Sequence, residues 1–161
     1  MTDLSKMTLR QLLGLHSGVM EELRRRGVAR NENNPTANLS EYLYCRAYGW
    51  QKAPNSEKGF SARDSDGTRY QIKGRRIHPR NESRQLSAIR DLDGFDTLAA
   101  VLLDKDYRVL RAALIPSAVA RERCNFVRHT NSYKFMLTDD IWDDRRVTDA
   151  TGMLRTVESE N

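Results

Sequence analysis

A nearly uninterrupted apolar run at residues 96–103 constrains the fold of this chain more than any other feature of its sequence. It reads Asp-Thr-Leu-Ala-Ala-Val-Leu-Leu. A strand that is apolar on both faces is typical of the middle of a sheet that is covered on both sides. The run therefore predicts a buried central strand, and the turn residues 104–106 lead from it into a second strand over 107–115.

An alternating pattern precedes this strand and predicts a β-hairpin. Residues 59–63 and 69–75 alternate apolar and polar side chains, and turn chemistry at 64–67 joins them. In the second segment, Tyr70 and Ile72 are expected on one face of the sheet and Gln71, Lys73 and Arg75 on the other. Pro54 ends a short edge strand at 51–53.

Helices are predicted on either side of these strands. Residues 8–27 begin with a Thr8–Gln11 capping box and carry one apolar face, formed by Leu9, Leu12, Leu13, Met20 and Leu23. After a loop at Asn31–Pro35, a second helix runs from Thr36 or Asn38 to Tyr48. Leu86 and Ile89 indicate a short helix over 82–92. Further expectations are a helix from Pro116 to Arg123, a strand over Ser132–Leu137 and a helical tail from Asp139 that is loosely packed after Gly152.

These elements fit one domain over residues 1–161, because a chain of this length buries a single core. From residue 38 the predicted order is helix, strand, strand, strand, helix, strand. This order favours an α/β (α+β) fold, a mixed β-sheet flanked by helices. Two cysteines make no disulfide framework, and neither a signal peptide nor a membrane span is predicted, so a cytoplasmic protein is expected.

Basic side chains are concentrated in one stretch of the sequence. The net charge is +5, and 21 of the 27 basic residues are arginine. From Arg69 to Arg90 there are seven basic residues and one acid, Glu82, so this window alone carries +6. A charged run is often only a solvated face, but arginine suits phosphate recognition and the run overlaps an alternating strand. The pattern favours nucleic acid over a membrane surface, because no helix pairs this charge with Trp or Phe.

Three stretches of the chain together resemble the PD-(D/E)xK superfamily of restriction-endonuclease-like nucleases, and more narrowly a group of small bacterial proteins with that fold. The resemblance covers roughly residues 20–140. The stretches are Leu39-Ser40-Glu41-Tyr42-Leu43, Ala53-Pro54-Asn55-Ser56-Glu57-Lys58-Gly59-Phe60 and Tyr70-Gln71-Ile72-Lys73-Gly74-Arg75-Arg76. What it implies is a restriction-endonuclease-like sheet with the core order αβββαβ.

The resemblance also implies a catalytic set of Glu41, Gln71 and Lys73. In this family, Mg²⁺, for which Mn²⁺ can substitute, neutralises the phosphate and activates the attacking water. The sequence departs from the family pattern twice, since Gln71 replaces an acid and the usual Asp aligns with Ser61. An amide oxygen still coordinates a metal. Asp64 is the nearest substitute ligand, but it points to the opposite face of a regular strand and needs a bulge to reach the site. Its alternative role is that of a turn residue.

The implied partner is DNA. Seven residues are candidate DNA-binding residues: Lys58, Arg75, Arg76, His78, Arg80, Arg84 and Arg90. Two functions remain open at this point. The first is a Mg²⁺-dependent DNA endonuclease, and the second is a DNA-binding protein on the same fold that no longer cuts. Cutting both strands needs two active sites, which leaves room for a homodimer.

Overall fold

The described residues, 1–29 and 35–160 of this computed structural model, form four helices and eight strands. The helices are α1 (Leu9–Arg25), α2 (Pro35–Tyr48), α3 (Ser117–Arg123) and α4 (Thr151–Ser159). The strands are β1 (Gln51–Lys52), β2 (Ala62–Arg63), β3 (Arg69–Arg76), β4 (Thr97–Leu103), β5 (Val109–Pro116), β6 (Asn125–Val127), β7 (Ser132–Lys134) and β8 (Thr148–Asp149). Short 3₁₀ segments lie at Leu4–Lys6, Arg128–Thr130 and Asp139–Asp143.

The predicted central strand, β4, lies inside a six-stranded sheet with the order β1-β2-β3-β4-β5-β8. Strands β3 and β4 are parallel, with Tyr70 opposite Thr97, and all other neighbours are antiparallel. From Leu98 to Leu103 every residue of β4 is buried, as an apolar run predicts. A mixed sheet flanked by helices is therefore confirmed. β6 and β7 form a separate two-stranded sheet.

The sheet is covered on both faces, which gives the domain two apolar clusters. On one face α2 and α4 pack with Leu43, Tyr44 and Leu154 against the sheet. On the other face, Leu86 and Phe135 belong to the segments that cover it. The Tyr44 hydroxyl is fully buried and shares its one proton between the backbone oxygens of Ala100 (2.7 Å) and Ala113 (3.1 Å), which fixes α2 to the two central strands.

The helix predicted over 82–92 is wrong, because this segment is extended. The Leu86 N–H donates to the Phe135 oxygen, and Ile89 and Tyr133 exchange both backbone hydrogen bonds. The spacing of Leu86 and Ile89 is compatible with a helix. A regular strand would place these two side chains on opposite faces. The observed pairing is irregular, because the bridges Gln85–Met136 and Ile89–Tyr133 span four residues on one side and three on the other, and both Leu86 and Ile89 are buried in the core. The link between β3 and β4 therefore contains no helix, and the predicted αβββαβ order lacks its fifth element.

Two further expectations are corrected by the packing. The tail after Gly152 is not loosely packed: α4 buries Leu154 and Val157 against the sheet. α1 keeps its Thr8–Gln11 capping box but ends at Arg25, and of its predicted apolar face only Met20 is buried. In the predicted loop at Asn31–Pro35, residues 31–34 lie outside the described residues, while Pro35 begins α2. No helix in the described part of the chain is long and apolar enough to cross a lipid bilayer.

Candidate functional site

Strand β3 separates two sets of side chains, and a glycine controls how closely α2 approaches it. Ile72 packs in the cluster beneath α2, two residues before Gly74. A Cβ atom at position 74 would overlap the Ser40 hydroxyl, so the helix lies directly on the β3 backbone. Glu41, the residue after Ser40, is thereby held near β3, and it lines one pocket together with Gln71 of that strand.

Strand β2 separates from β3 at Ser61, and this separation opens a pocket. The Ser61 N–H still donates to the Tyr70 oxygen at 2.7 Å. Further along β3, the backbone N–H of Ile72 donates to the Ser61 side-chain hydroxyl at 3.0 Å, and not to a backbone oxygen of β2. The chain before Ser61 turns away and forms a loop over 53–60. One contact anchors this loop: a Cβ at Gly94 would lie 2.8 Å from both the Cα and the carbonyl oxygen of Gly59.

The resulting pocket brings Glu41 and Gln71 together, as the sequence predicts. Its volume is about 250 Å³, and its lining residues are Glu41, Ala53, Pro54, Asn55, Glu57, Lys58, Phe60, Ser61 and Gln71. Glu57 is a second carboxylate that the sequence reasoning did not assign. The backbone N–H groups of Lys58 (3.1 Å) and Gly59 (2.9 Å) both donate to its Oε1. Its place in a quoted stretch of the resemblance was the signal that could have identified it.

Lys73 lies beside this pocket without lining it. The side chain is half-buried, and its Nζ donates to the Ala88 oxygen at 3.1 Å. Burial lowers the pKa of Lys73 below its ordinary value, the nearby charge of Arg90 lowers it further, and the opposite charge of Glu41 acts in the other direction. The structure therefore places Lys73 and Glu41 within electrostatic reach of each other.

Asp64 does not reach the pocket. Its Oδ1 accepts hydrogen bonds from the N–H groups of Asp66 and Thr68 (both 2.9 Å), and its Oδ2 accepts one from the Tyr70 hydroxyl at 2.9 Å. Burial acts to raise the pKa of Asp64, but these three hydrogen bonds lower it overall. The pairing of β2 with β3 continues in regular register through Arg63, so no bulge turns Asp64 towards Gln71. Of the two roles considered for Asp64, the structure shows the turn residue.

The candidate DNA-binding residues differ in how their charges are compensated. Lys58 lines the pocket. Arg84 forms an ion pair with Asp139 at 2.6 Å. Arg75 and Arg76 donate instead to neutral backbone oxygens, those of Ser83 (2.8 Å) and Lys105 (2.9 Å), and Arg76 also lies 4.5 Å above the Tyr107 ring. A neutral acceptor orients a guanidinium without cancelling its charge.

The remaining basic positions lie on the same segment. His78 is half-buried, and its backbone exchanges hydrogen bonds with Asn81. Arg80 and Arg90 are exposed and form no ion pair with any described residue.

Arg69, which begins the basic window, is paired with Asp96 at 3.1 Å. Ion pairs thus neutralise Arg69 and Arg84, while the charges of Arg75, Arg76, Arg80 and Arg90 remain.

The oxygen atoms around the pocket suit a hard divalent cation. Nowhere in residues 1–29 and 35–160 do three or more His, Cys, Asp or Glu side chains group as metal ligands. The pocket nevertheless offers the carboxylates of Glu41 and Glu57 and the amide oxygen of Gln71. Mg²⁺ binds in this way, through one or two carboxylates with retained waters and substrate phosphates. The donor set therefore fits a cation that the substrate helps to hold.

No protein-family model matches the sequence of this chain, and no curated protein matches it at a significant level.

Proposed function

We propose that the chain is a Mg²⁺-dependent DNA endonuclease of the PD-(D/E)xK type, acting at the pocket that Glu41, Glu57 and Gln71 line. The observation that supports this most directly is convergence. Glu41 comes from α2, Gln71 from β3 and Glu57 from the 53–60 loop, and all three side chains line one small pocket. Mg²⁺ at a phosphodiester is usually held by one or two carboxylates together with waters and phosphate oxygens, and this pocket offers two carboxylates and an amide oxygen.

Each residue has a role that its position supports. Glu41, Glu57 and Gln71 would hold Mg²⁺, which when bound neutralises the scissile phosphate and lowers the pKa of the attacking water. Lys73, within electrostatic reach of Glu41, would supply positive charge to the phosphate oxygens, on which negative charge grows in the transition state. The Ala88 oxygen orients its ammonium group. The lysine is therefore positioned before the substrate arrives.

The basic segment after Lys73 indicates which chemical class of substrate the protein binds. Arg75 and Arg76 project from the end of β3 with their guanidinium groups oriented by neutral oxygens. Exposed Arg80 and Arg90 follow. Four cations that form no ion pair within the described part of the chain favour a polyanion, and each phosphate that they neutralise makes binding more sensitive to salt.

A plasmid-cleavage assay tests the proposal. We expect supercoiled DNA to be nicked or linearised with Mg²⁺ or Mn²⁺ and to remain intact with EDTA. Glu41→Gln and Lys73→Ala should each lower the rate by a factor of about 100 or more. Glu160→Gln, on an exposed acid outside both the pocket and the basic segment, is the matched control and should cleave like the wild type. Equal cleavage by wild type and Lys73→Ala would refute the assignment.

A second candidate function is DNA binding without cleavage on the same scaffold. One observation favours it: Ser61 lines the pocket where the family has an acid, and its hydroxyl already accepts the Ile72 N–H. The pocket then has two carboxylates rather than three. For this function we expect no cleavage with either metal, together with binding that weakens steeply with salt. If five cations meet phosphates, log K falls against log salt with a slope of about −4.5. Binding that ignores salt would exclude both functions.

A further inference from the structure

The hairpin of β6 and β7 carries an exposed aromatic side chain next to the segment that positions Lys73. Ile89 exchanges both backbone hydrogen bonds with Tyr133 of β7, and Tyr133 lies opposite Phe126 of β6. The exposed fraction rises along this row of side chains, from 2% at Ile89 through half-buried Tyr133 to 54% at Phe126. Phe126 is therefore the outermost member of a row that begins in the core.

The Phe126 ring is oriented by its neighbour and remains open to solvent. Its centroid lies 5.2 Å from that of the Tyr133 ring, and the two ring planes are tilted by 59°. Tilted aromatic pairs at such distances attract each other, so this contact restrains the ring. More than half of the side chain is nevertheless exposed, and β6 is an edge of its two-stranded sheet. The ring thus offers an oriented apolar surface on which another planar group can stack.

The hairpin carries only positive charge. Between Arg123 and Thr138 the sequence contains no Asp or Glu. Arg128 is exposed at the turn of the hairpin and Lys134 is half-buried on β7, and neither forms an ion pair with a described residue. A polyanion is therefore attracted to the surface around Phe126, and no carboxylate of the hairpin repels it.

We propose that this hairpin binds unpaired bases of DNA, with one base stacked on Phe126 and the neighbouring phosphates held by Arg128 and Lys134. The inference rests on the proposed function and gives it a substrate class, namely DNA that is single-stranded or locally unpaired. Proteins that bind such DNA combine cations along the backbone with aromatic rings on which the bases stack. A base inside an intact duplex is stacked between its neighbours, so the ring discriminates against fully paired DNA.

The hairpin lies close enough to the candidate active site for one DNA strand to reach both. The Ala88 oxygen, which accepts a hydrogen bond from the Lys73 ammonium at 3.1 Å, precedes Ile89 in the chain. Two strand spacings of about 4.8 Å separate Ile89 from Phe126, so their backbones lie roughly 10 Å apart. Successive nucleotides advance about 3.4 Å along a strand. A strand whose phosphate lies at Lys73 therefore spans the distance to the hairpin within a few nucleotides.

Fluorescence anisotropy with EDTA present tests the proposal, because it measures binding without cleavage. The probes are a short labelled duplex and the same duplex with a run of unpaired thymines. We expect the wild type to bind the unpaired probe at least about tenfold more tightly, the order of affinity that stacking of one base contributes. Phe126→Ala should remove this preference without weakening binding to the paired duplex, and Phe126→Trp should retain it. Met153→Ala, on a side chain of α4 that is 46% exposed, is the control and should bind both probes like the wild type.

The outcomes separate this inference from the proposed function. A protein that binds neither probe would overturn both. Equal affinity for the two probes, or a preference that Phe126→Ala retains, would overturn this inference and leave the nuclease proposal standing. Self-association of the wild type that Phe126→Ala abolishes, with no change in DNA affinity, would assign the ring to a second copy of the chain and would also overturn it. Photo-cross-linking of 5-iododeoxyuridine in the unpaired run should label a peptide that contains Phe126, and labelling confined to other peptides would contradict the proposed stacking.

Discussion

The Ser61 hydroxyl accepts the Ile72 backbone N–H across 3.0 Å at the point where β2 separates from β3. The separation opens the candidate site, and it also deprives a buried residue of its strand partner. Ser61 supplies the missing acceptor. In the sequence, Ser61 stands where the family resemblance expects a metal-binding acid. In the structure, its hydroxyl helps to stabilise the separation of β2 from β3.

Removing this hydroxyl should destabilise the protein. Ser61→Ala leaves the Ile72 N–H without its acceptor, and an unsatisfied buried donor costs about 1–3 kcal/mol of unfolding free energy. Urea unfolding at neutral pH measures the difference. Ser65→Ala, in the exposed turn of the hairpin, should stay within about 0.5 kcal/mol of the wild type. A Ser61→Ala protein as stable as that control would show that the hydrogen bond contributes nothing.

An acid at the same position should strengthen metal binding. Ser61→Asp keeps an oxygen acceptor for Ile72 and adds a third carboxylate to the pocket that Glu41 and Glu57 line. Ligand charge tunes the affinity of oxygen sites, so we expect Mn²⁺ to bind at least about tenfold more tightly than in the wild type. Calorimetric titration measures this. The matched variant Ser65→Asp adds the same charge outside the pocket, and an equal gain there would mean nonspecific attraction.

The contact between α2 and β3 should be sensitive to a single methyl group. Gly74→Ala forces a Cβ into the Ser40 hydroxyl, and overpacking of this kind costs about 1–3 kcal/mol. The shift of α2 should also move Glu41 and lower metal affinity. Gly152→Ala is the control, because a Cβ there meets nothing within 4 Å and α4 should gain stability. Calorimetry measures the melting temperature of both variants. A Gly74→Ala protein that melts at the same temperature as the wild type would contradict the close contact between Gly74 and Ser40.

The stability of the protein should fall between about pH 10 and 12, partly because of Tyr70. Burial first, and then its hydrogen bond to Asp64, raise the pKa of Tyr70 to about 12. In this window the unfolded chain has lost a proton that the folded chain keeps, so the unfolding free energy decreases as pH rises. Tyr70→Phe removes one such proton and should reduce the slope by up to about 1.4 kcal/mol per pH unit. Denaturant titrations at several pH values measure it. An unchanged slope would show that Tyr70 titrates normally.

We expect the charge of Lys73 to lower the stability of the folded protein, although the proposed reaction requires that charge. Burial lowers its pKa, so the folded state disfavours the charged form, and stability attributable to this residue rises as the pH approaches the ordinary lysine value. Lys73→Met keeps the stem and removes the charge. We expect its unfolding midpoint at pH 7 to equal or exceed that of the wild type, while cleavage is lost. A midpoint several degrees lower would instead make the hydrogen bond to Ala88 the main role of the residue.

Local patterns predicted most elements of the fold, because the forces that form them act between near neighbours. Thr8 and Gln11 form their capping box, and Pro116 precedes α3. The prediction for the 82–92 segment is wrong, because a spacing of three is typical of a helix, whereas this extended segment is irregular and buries both Leu86 and Ile89. Its conformation depends on β7, which lies more than 40 residues further along the chain.

In the candidate site, too, local patterns predict the residues on regular elements and miss those whose position depends on distant contacts. Glu41 and Gln71 converge as predicted, since both lie on regular elements. Glu57 belongs to a loop, and its proximity to them depends on where Gly59 meets Gly94, a contact that no local pattern reveals. Asp64 was offered as a ligand on sequence distance alone. Its hydrogen bonds to Thr68 and Tyr70 decide its orientation instead.

Two glycine contacts hold the two carboxylates of the pocket independently. Gly74 sets the height of α2 and hence of Glu41, whereas Gly59 and Gly94 set the position of the loop that carries Glu57. One methyl group added at either place would push one of these elements away from its support, so we expect it to displace the carboxylate on that element more than the other. The relative position of the two acids therefore depends on backbone contacts of residues that do not line the pocket with a polar side chain.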